Sequence, residues 1–349
     1  MTTSRISKLH QSQASMPSYL NMLGPYSMHE PSFRILEQQF HSFDLNRIAS
    51  ELSPEKKRDA ANSDRYYSTI VDGVALITIS GMITKYPTWF PTCPSSVIRS
   101  ILNTALEDPR VFGCLLRINS PGGQVSGTRE LANDVKKFGQ SKAIVAYVDD
   151  LCCSAAYWIA SQADYIVSNA TGFTGSIGTY CIMSDYSQAM EQAGVKVHVI
   201  RAGEYKGSGE FGTKILDSHL MELQRQVDGL NAFFLEAVSQ GRNLSGVALE
   251  QVTDGRAHLA ADAKSLGLID EVRDFENYFE AFYDSVLQSP FYAASPHRFV
   301  ERADAFRISK YSDNEFVDDC VSKKLTVDEC QKAWNQKQSK PTSTQKYVP

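Results

Sequence analysis

Four short, nearly unbroken apolar runs, each followed or preceded by an amphipathic stretch, constrain this chain more than any other feature. The runs are VFGCLLRIN (111–119), KAIVAYVDDL (142–151), DYIVSNA (164–170) and VKVHVIRAG (195–203). Between them lie SGTRELANDVKKFG (126–139), SAAYWIASQA (154–163) and SDYSQAMEQAG (184–194), which read as helices. A strand buried on both faces shows a continuous apolar run, because neither side of the pleat meets water. Strands alternating with helices through short connections predict parallel pairing and an α/β domain. Ahead of these runs, TIVDGVALITISGMI (69–83) alternates and is rich in β-branched residues, which predicts strands joined by a turn at Asp72-Gly73. A long helix is expected over about 217–240, with a helix and a strand in 262–272 closing the domain.

The α/β pattern is confined to the middle of the 349 residues, and we divide the chain at 1–65, 66–289 and 290–349. The N-terminal extension carries a helical candidate with apolar residues at Phe33, Ile35, Leu36, Phe40, Phe43, Leu45 and Ile48, followed by the charged linker SPEKKRDAANSDR (53–65). In the C-terminal extension, 313–338 reads as two short helices and 340–349 as a frayed tail.

Composition narrows the partners. Lys+Arg 35 against Asp+Glu 40 gives a net charge of −5, with no electrostatic footprint for nucleic acid or anionic lipid. No stretch approaches the roughly 18 apolar residues of a membrane span, and the first thirty residues lack a secretory apolar core. A cytoplasmic chain without a membrane anchor is the expectation. The seven cysteines are Cys93, Cys114, Cys152, Cys153, Cys181, Cys320 and Cys330. None makes a CxxC pair and several sit in apolar runs, so buried thiols in a reducing compartment are expected, with no metal site and no cofactor.

Three spots could carry chemistry. The first is Asn119-Ser120-Pro121-Gly122-Gly123-Gln124, directly after a buried strand. Adjacent glycines let backbone N–H groups approach a ligand, although a plain tight turn accounts for the same residues. The second is Ser154, where strand gives way to helix after Cys152-Cys153. There a hydroxyl and the N–H of Ala155 would stand together at the sheet's C-terminal edge, where parallel sheets keep their sites. An ordinary N-cap serine is the competing reading and is favoured by Ser154 alone. The third is Lys206 in Gly203-Glu204-Tyr205-Lys206-Gly207-Ser208, by default a solvated loop lysine. A base role requires that amine to be held neutral, away from water. Asp149 and Asp150, adjacent on a strand, should face opposite ways and make no acid pair. His198 reads as a packed or surface residue, and His258 as bordering a turn.

Taken together, INSPGGQVSG (118–127), CCSAAYWIASQADYIVSNATGFTGSIG (152–178), GEYKGSGE (203–210) and DGRAHLAADAKSLGLIDEV (254–272) resemble the signal peptide peptidase A family of serine proteases. That family lies in the Clp-protease/crotonase superfamily. The resemblance implies a spiral of ββα units with a mostly parallel sheet, here between helical N- and C-terminal extensions. It implies a Ser-Lys dyad with Ser154 as nucleophile and Lys206 as general base. Ser176 would orient the lysine, and Gly122, Gly123 and Ala155 would supply the oxyanion hole. The anchorless layout resembles the phage and prophage branch that matures capsids. Scaffold, portal or capsid proteins are then the implied substrates, a homo-oligomeric ring the implied assembly, and host cytoplasm or procapsid the location. Cys152-Cys153 before the serine and Ala155-Ala156 after it depart from the family's commoner small residues.

Three rivals differ in what they need. A crotonase-type acyl-CoA enzyme needs carboxylates beside its oxyanion hole and no Ser-Lys pair. A Clp-type Ser-His-Asp protease needs a histidine soon after the serine, but the first one beyond Ser154 is His198. An inactive assembly or scaffold-binding homologue would keep the fold alone.

Overall fold

The computed structural model describes residues 26–28, 68–71, 73–88, 92–287 and 334–336. Strand β1 (Tyr26–Met28) comes first, then a hairpin of β2 (Ser68–Val71) and β3 (Val74–Ser80). Gly73, between the hairpin strands, has φ 88°, and a Cβ there would lie 2.6 Å from the Phe112 ring, so the turn takes glycine.

The chain then repeats a strand–strand–helix step. β3 leads through β4 (Ile83–Thr84) and β5 (Cys93–Pro94) to α1 (Ser95–Glu107). β6 (Gly113–Ser120) leads through β7 (Gly122–Gln124) to α2 (Thr128–Gly139), and β8 (Ala143–Cys153) runs directly into α3 (Ala155–Ala160). After them come β9 (Tyr165–Ser168), β10 (Phe173–Gly175), α4 (Ser187–Gln192), α5 (Asp217–Arg242), α6 (Gly246–Glu250) and β11 (Ala257–Leu259). The series ends with α7 (Ala260–Ser265), β12 (Glu271–Val272) and α8 (Phe275–Leu287).

The main sheet has the order β11-β10-β8-β6-β3-β2, with β9 also on β8 and β12 on β9. β3, β6, β8, β9, β10 and β12 pair in parallel, and among the described residues only β2 and β11 join antiparallel at the ends. A mostly parallel α/β sheet is therefore what the apolar runs build. β9 and β10 lie along successive parts of one edge of β8, pairing with Val145–Val148 and Leu151–Cys153.

Both faces of this sheet are covered. On one, Ile98 of α1, Leu131 and Val135 of α2, Trp158 of α3 and Phe234 of α5 join a core with Ile77 and Ile118. On the other, Tyr278, Phe282, Tyr283 and Val286 of α8 pack on Leu115, Val145, Tyr147 and Val167. This double cover is why β6 and β8 read as unbroken apolar runs. A second, small sheet has the order β1-β7-β4-β5 and stands at the C-terminal ends of β3 and β6.

One expected strand is absent: 195–203 has no regular structure, and Val195, Val197 and Ile200 are exposed. The edge of β10 that could have received it is paired antiparallel with β11, Phe173 opposite Leu259. Cys93, Cys114, Cys152 and Cys153 are buried free thiols, as expected. The helices read in 33–48, and most of those read in 313–338, lie outside the described residues. Among the described residues no helix is long and apolar enough to cross a membrane.

Candidate active site

Three parallel strands end side by side, and each releases one of the predicted elements. β8 is flanked by β6, with Ser120 opposite Cys152, and by β10, with Gly175 opposite Cys153. The glycine turn follows β6, Ser154 follows β8, and Ser176 follows β10. The pairing of β6 with β8 slips between Ile118–Val148 and Ser120–Cys152, leaving two additional residues on β8. Such an irregularity re-aims a strand's last side chains. Asp149 and Asp150, expected on opposite faces, both reach β6 here. Arg117 Nε meets Asp149 Oδ2 at 2.6 Å, and Asn119 Nδ2 donates to Asp150 Oδ2 at 3.0 Å.

Ser154 has φ 57° and ψ −120°, a conformation that costs a side-chain-bearing residue about 1–3 kcal/mol. Its N–H donates to Gly175 O at 2.7 Å, and its own carbonyl accepts from Trp158 N at 2.8 Å. The hydroxyl makes no capping bond to α3, so the N-cap reading favoured by Ser154 alone does not describe its place. A strained serine on a strand-to-helix turn is how several hydrolases present a nucleophile.

The turn is clamped from below. Tyr157 donates its hydroxyl to Leu268 O at 2.9 Å, and Trp158 stacks on Phe234 with centroids 4.9 Å apart. Arg242, at the end of α5, holds Asp270 at 2.7 Å and also donates to Gly267 O. Cys153, the residue before Ser154, is a protonated thiol at neutral pH because burial pushes it up to about 12.

Each glycine of the SPGG turn has its own requirement. Gly122 has φ 101°, and a Cβ on Gly123 would sit 2.0 Å from Ile83 O in β4. Gly122 N–H donates to Ser120 Oγ at 3.2 Å, and that hydroxyl donates to Gly81 O at 2.7 Å. The sequence reading missed Ser120, which stands in the motif but whose buried hydroxyl bridges two turns only in the folded chain. Ala155 is fully buried at the start of α3, where first-turn N–H groups have no partner within the helix.

Ser176 also has positive φ, 50°, and is 6% exposed, with its N–H donating to Arg256 O at 2.8 Å. Beside it His258 lies in β11, not at a turn, directly opposite Thr174. His258 Nε2 and Thr174 Oγ1 are buried without a hydrogen-bond partner among the described residues. Burial holds His258 below its ordinary value of 6.5, with Asp254 and Asp262 opposing the shift and Arg256 reinforcing it. The unfolded chain then binds more protons than the folded one near and below pH 6.5, so stability falls as pH drops through that range. We expect the thermal midpoint to fall less between pH 7 and 5 in His258→Gln than in the unaltered chain. Equal slopes would mean that His258 is not a source of the loss.

Lys206 stands apart from this cluster in exposure. It lies in a run of turns, with its N–H on Gly203 O at 3.2 Å, and its side chain is exposed. It borders an open hollow of about 550 Å³ with Val197, His198, Arg201 and Phe211. Ser154 is 1% exposed by contrast. The folded chain thus brings Ser154, Ser176, the glycine turn and Ala155 to one edge, while a single copy leaves Lys206 in water.

Residues 136–286 match the model of peptidase family S49. Protease 4 of Haemophilus influenzae is 28% identical over 208 residues, covering 58% of this chain and 33% of that protein. Capsid assembly protease C of Escherichia phage lambda is 29% identical over 218 residues, 61% of this chain and 49% of that one. The chloroplastic serine protease SPPA of Arabidopsis thaliana is 27% identical over 208 residues, 58% and 30% of the two chains. The chain spans no more than about half the length of each of these three relatives. The resemblance to signal peptide peptidase A proteases is borne out by these matches. Among solved structures, an enoyl-CoA hydratase/isomerase family member superposes with a TM-score of 0.41 and 15% identity, over 79% of this chain and 89% of that chain. At that level of likeness no chemistry transfers.

Proposed function

We propose that this chain, which carries a peptidase family S49 segment over residues 136–286, is a serine endopeptidase with Ser154 as nucleophile and Lys206 as general base. The observation that carries the reading is Ser154 itself. It is strained, it does not cap its helix, and it is set between the glycine turn of β6 and Ser176 at the end of β10.

In the proposed reaction Lys206, neutral, takes the Ser154 proton as the hydroxyl oxygen attacks the scissile carbonyl. The negative charge developing on the carbonyl oxygen is met by N–H groups of Gly122 or Gly123 and Ala155. Ser120 Oγ, which now accepts from Gly122, has to yield or share that donor when the oxyanion forms. The protonated lysine returns its proton to the leaving amine, and water then releases the acyl group by the same route. Ser176 positions the lysine.

The base needs shelter that one copy does not supply. Lys206 shares its arm with exposed Val195, Val197 and Ile200, the last 96% exposed. An apolar arm of this kind is suited to packing on a second copy, which would cover the lysine as it buries the arm. A closed homo-oligomeric ring is the assembly we propose. Its substrates are polypeptides, and the capsid protease of phage lambda among its relatives favours scaffold, portal or capsid proteins, cleaved in host cytoplasm or procapsid.

The test is hydrolysis of a casein-type peptide by the purified chain and by Lys206→Ala. General-base loss is expected to lower turnover by about 10²- to 10⁴-fold. Turnover unchanged in Lys206→Ala would eliminate the dyad. If the lysine serves a neighbouring copy, mixing Lys206→Ala with Ser154→Ala chains restores part of the activity that each lacks.

A further inference from the structure

We propose that residues Tyr26–Met28 occupy the track on which the acyl side of a substrate must lie, so that the chain's own N-terminal strand competes with the proteins it cleaves. The inference rests on the proteolytic reading above and adds an intramolecular occupant to it.

The argument starts from the edges of β7. One edge pairs with β4, Ile83 opposite Gly123, and approaches so closely that only glycine fits. A polypeptide held at the glycine turn for attack by Ser154 therefore has only the other edge on which to add its backbone. That edge is already filled: Tyr26 pairs with Gln124, Ser27 with Gly123 and Met28 with Gly122, antiparallel.

Direction supports the assignment. Because the pairing is antiparallel, β1 runs from Gln124 towards Gly122 as it passes from residue 26 to residue 28. Gly122 is the end of β7 next to Ser120, and Ser120 pairs with Cys152, two residues before the nucleophile. A strand whose C-terminal end points at the nucleophile presents its carbonyl side, as the acyl half of a peptide substrate does. A ladder is made by main chain, so three residues of many proline-free sequences can take this place and be displaced from it. β1 is such a short strand, and it covers Gly122 and Gly123, the two candidate oxyanion donors of β7.

The test compares the full chain with Ser27→Pro/Met28→Pro. Alternate residues of an antiparallel strand donate to their neighbour, so two consecutive prolines remove a ladder N–H whichever residue supplies it. With the competitor weakened, KM for an unfolded casein peptide is expected to fall about tenfold while kcat holds. A synthetic peptide of residues 22–32, added in trans, should raise KM of the double-proline chain back towards the unaltered value. KM unchanged by the prolines and by the peptide would overturn the inference and leave proteolysis standing. Binding of a labelled casein peptide in the Ser154→Ala background, with and without the prolines, separates the two ideas. Binding about tenfold tighter with the prolines, in a chain whose Ser154 form hydrolyses nothing, would overturn proteolysis and keep the competing strand. Equal binding would overturn the strand.

Discussion

Ser154→Ala is expected to lower peptide hydrolysis by about ten-thousand-fold or more, since removal of a nucleophile leaves only binding and oxyanion stabilisation. The fold should survive. A serine that capped α3 would cost about 1 kcal/mol when replaced by alanine, but this hydroxyl makes no such bond. Stability of Ser154→Ala is therefore expected to change by less than a lost cap. Ser154→Gly sharpens the point, because glycine accepts φ 57° without the penalty a Cβ brings. That variant should be inactive and yet melt above the unaltered chain, with strain relieved at the expense of activity. A lower midpoint for Ser154→Gly would mean that no strain is stored at this turn, and activity retained in Ser154→Ala would remove the nucleophile from this position. Denaturation curves and a peptide assay on the three chains decide it.

Gly241→Ala is expected to destabilise the chain by about 2–3 kcal/mol, and Gly229→Ala, in the same helix, to stabilise it by up to about 1 kcal/mol. Both lie inside α5, where alanine gains helix propensity over glycine. They differ in what the new methyl meets. At Gly241 it would lie 2.0 Å from Ser161 O, at the end of α3, and 2.7 Å from Gln162 Nε2. At Gly229 it meets nothing within 4 Å. A backbone oxygen cannot rotate aside, so α5 must move, and with it the Phe234 ring on Trp158 and the neighbouring Arg242–Asp270 pair. Those contacts hold the turn of Ser154, and Gly241→Ala should lose activity as well as stability. A fall of roughly 5–10 °C in Tm corresponds to this cost in a domain of such size. Like-signed shifts in the two variants would show that helix propensity, not close approach, governs α5.

Much of the architecture was legible because its causes are local. The runs of β6 and β8 and the amphipathic face of α2 declare themselves within a few residues, and the β2–β3 turn is marked by a glycine that needs φ 88°. β10 and β11, three residues each, are too short for any period to register. The segment 195–203 misled because alternating apolar residues signal a face to be covered and do not say by what. Here β11 had already paired with β10, and the alternation was left on an exposed arm.

From residue order alone came the α/β class, the parallel pairing, the glycine turn and the identity of the serine and lysine worth asking about. The first three follow from side-chain type and spacing, which short-range sterics and solvation translate directly into strand, turn and helix. The serine and lysine were singled out by the family resemblance, since taken alone they read as a helix cap and a solvated loop residue. Tertiary structure decided that Ser154 is strained rather than a cap, since Gly175 O, α5 and the Leu268 carbonyl hold its turn from segments distant in the chain. It also decided that Lys206 stands in water in a single copy, because shelter is a property of whatever surface packs against it.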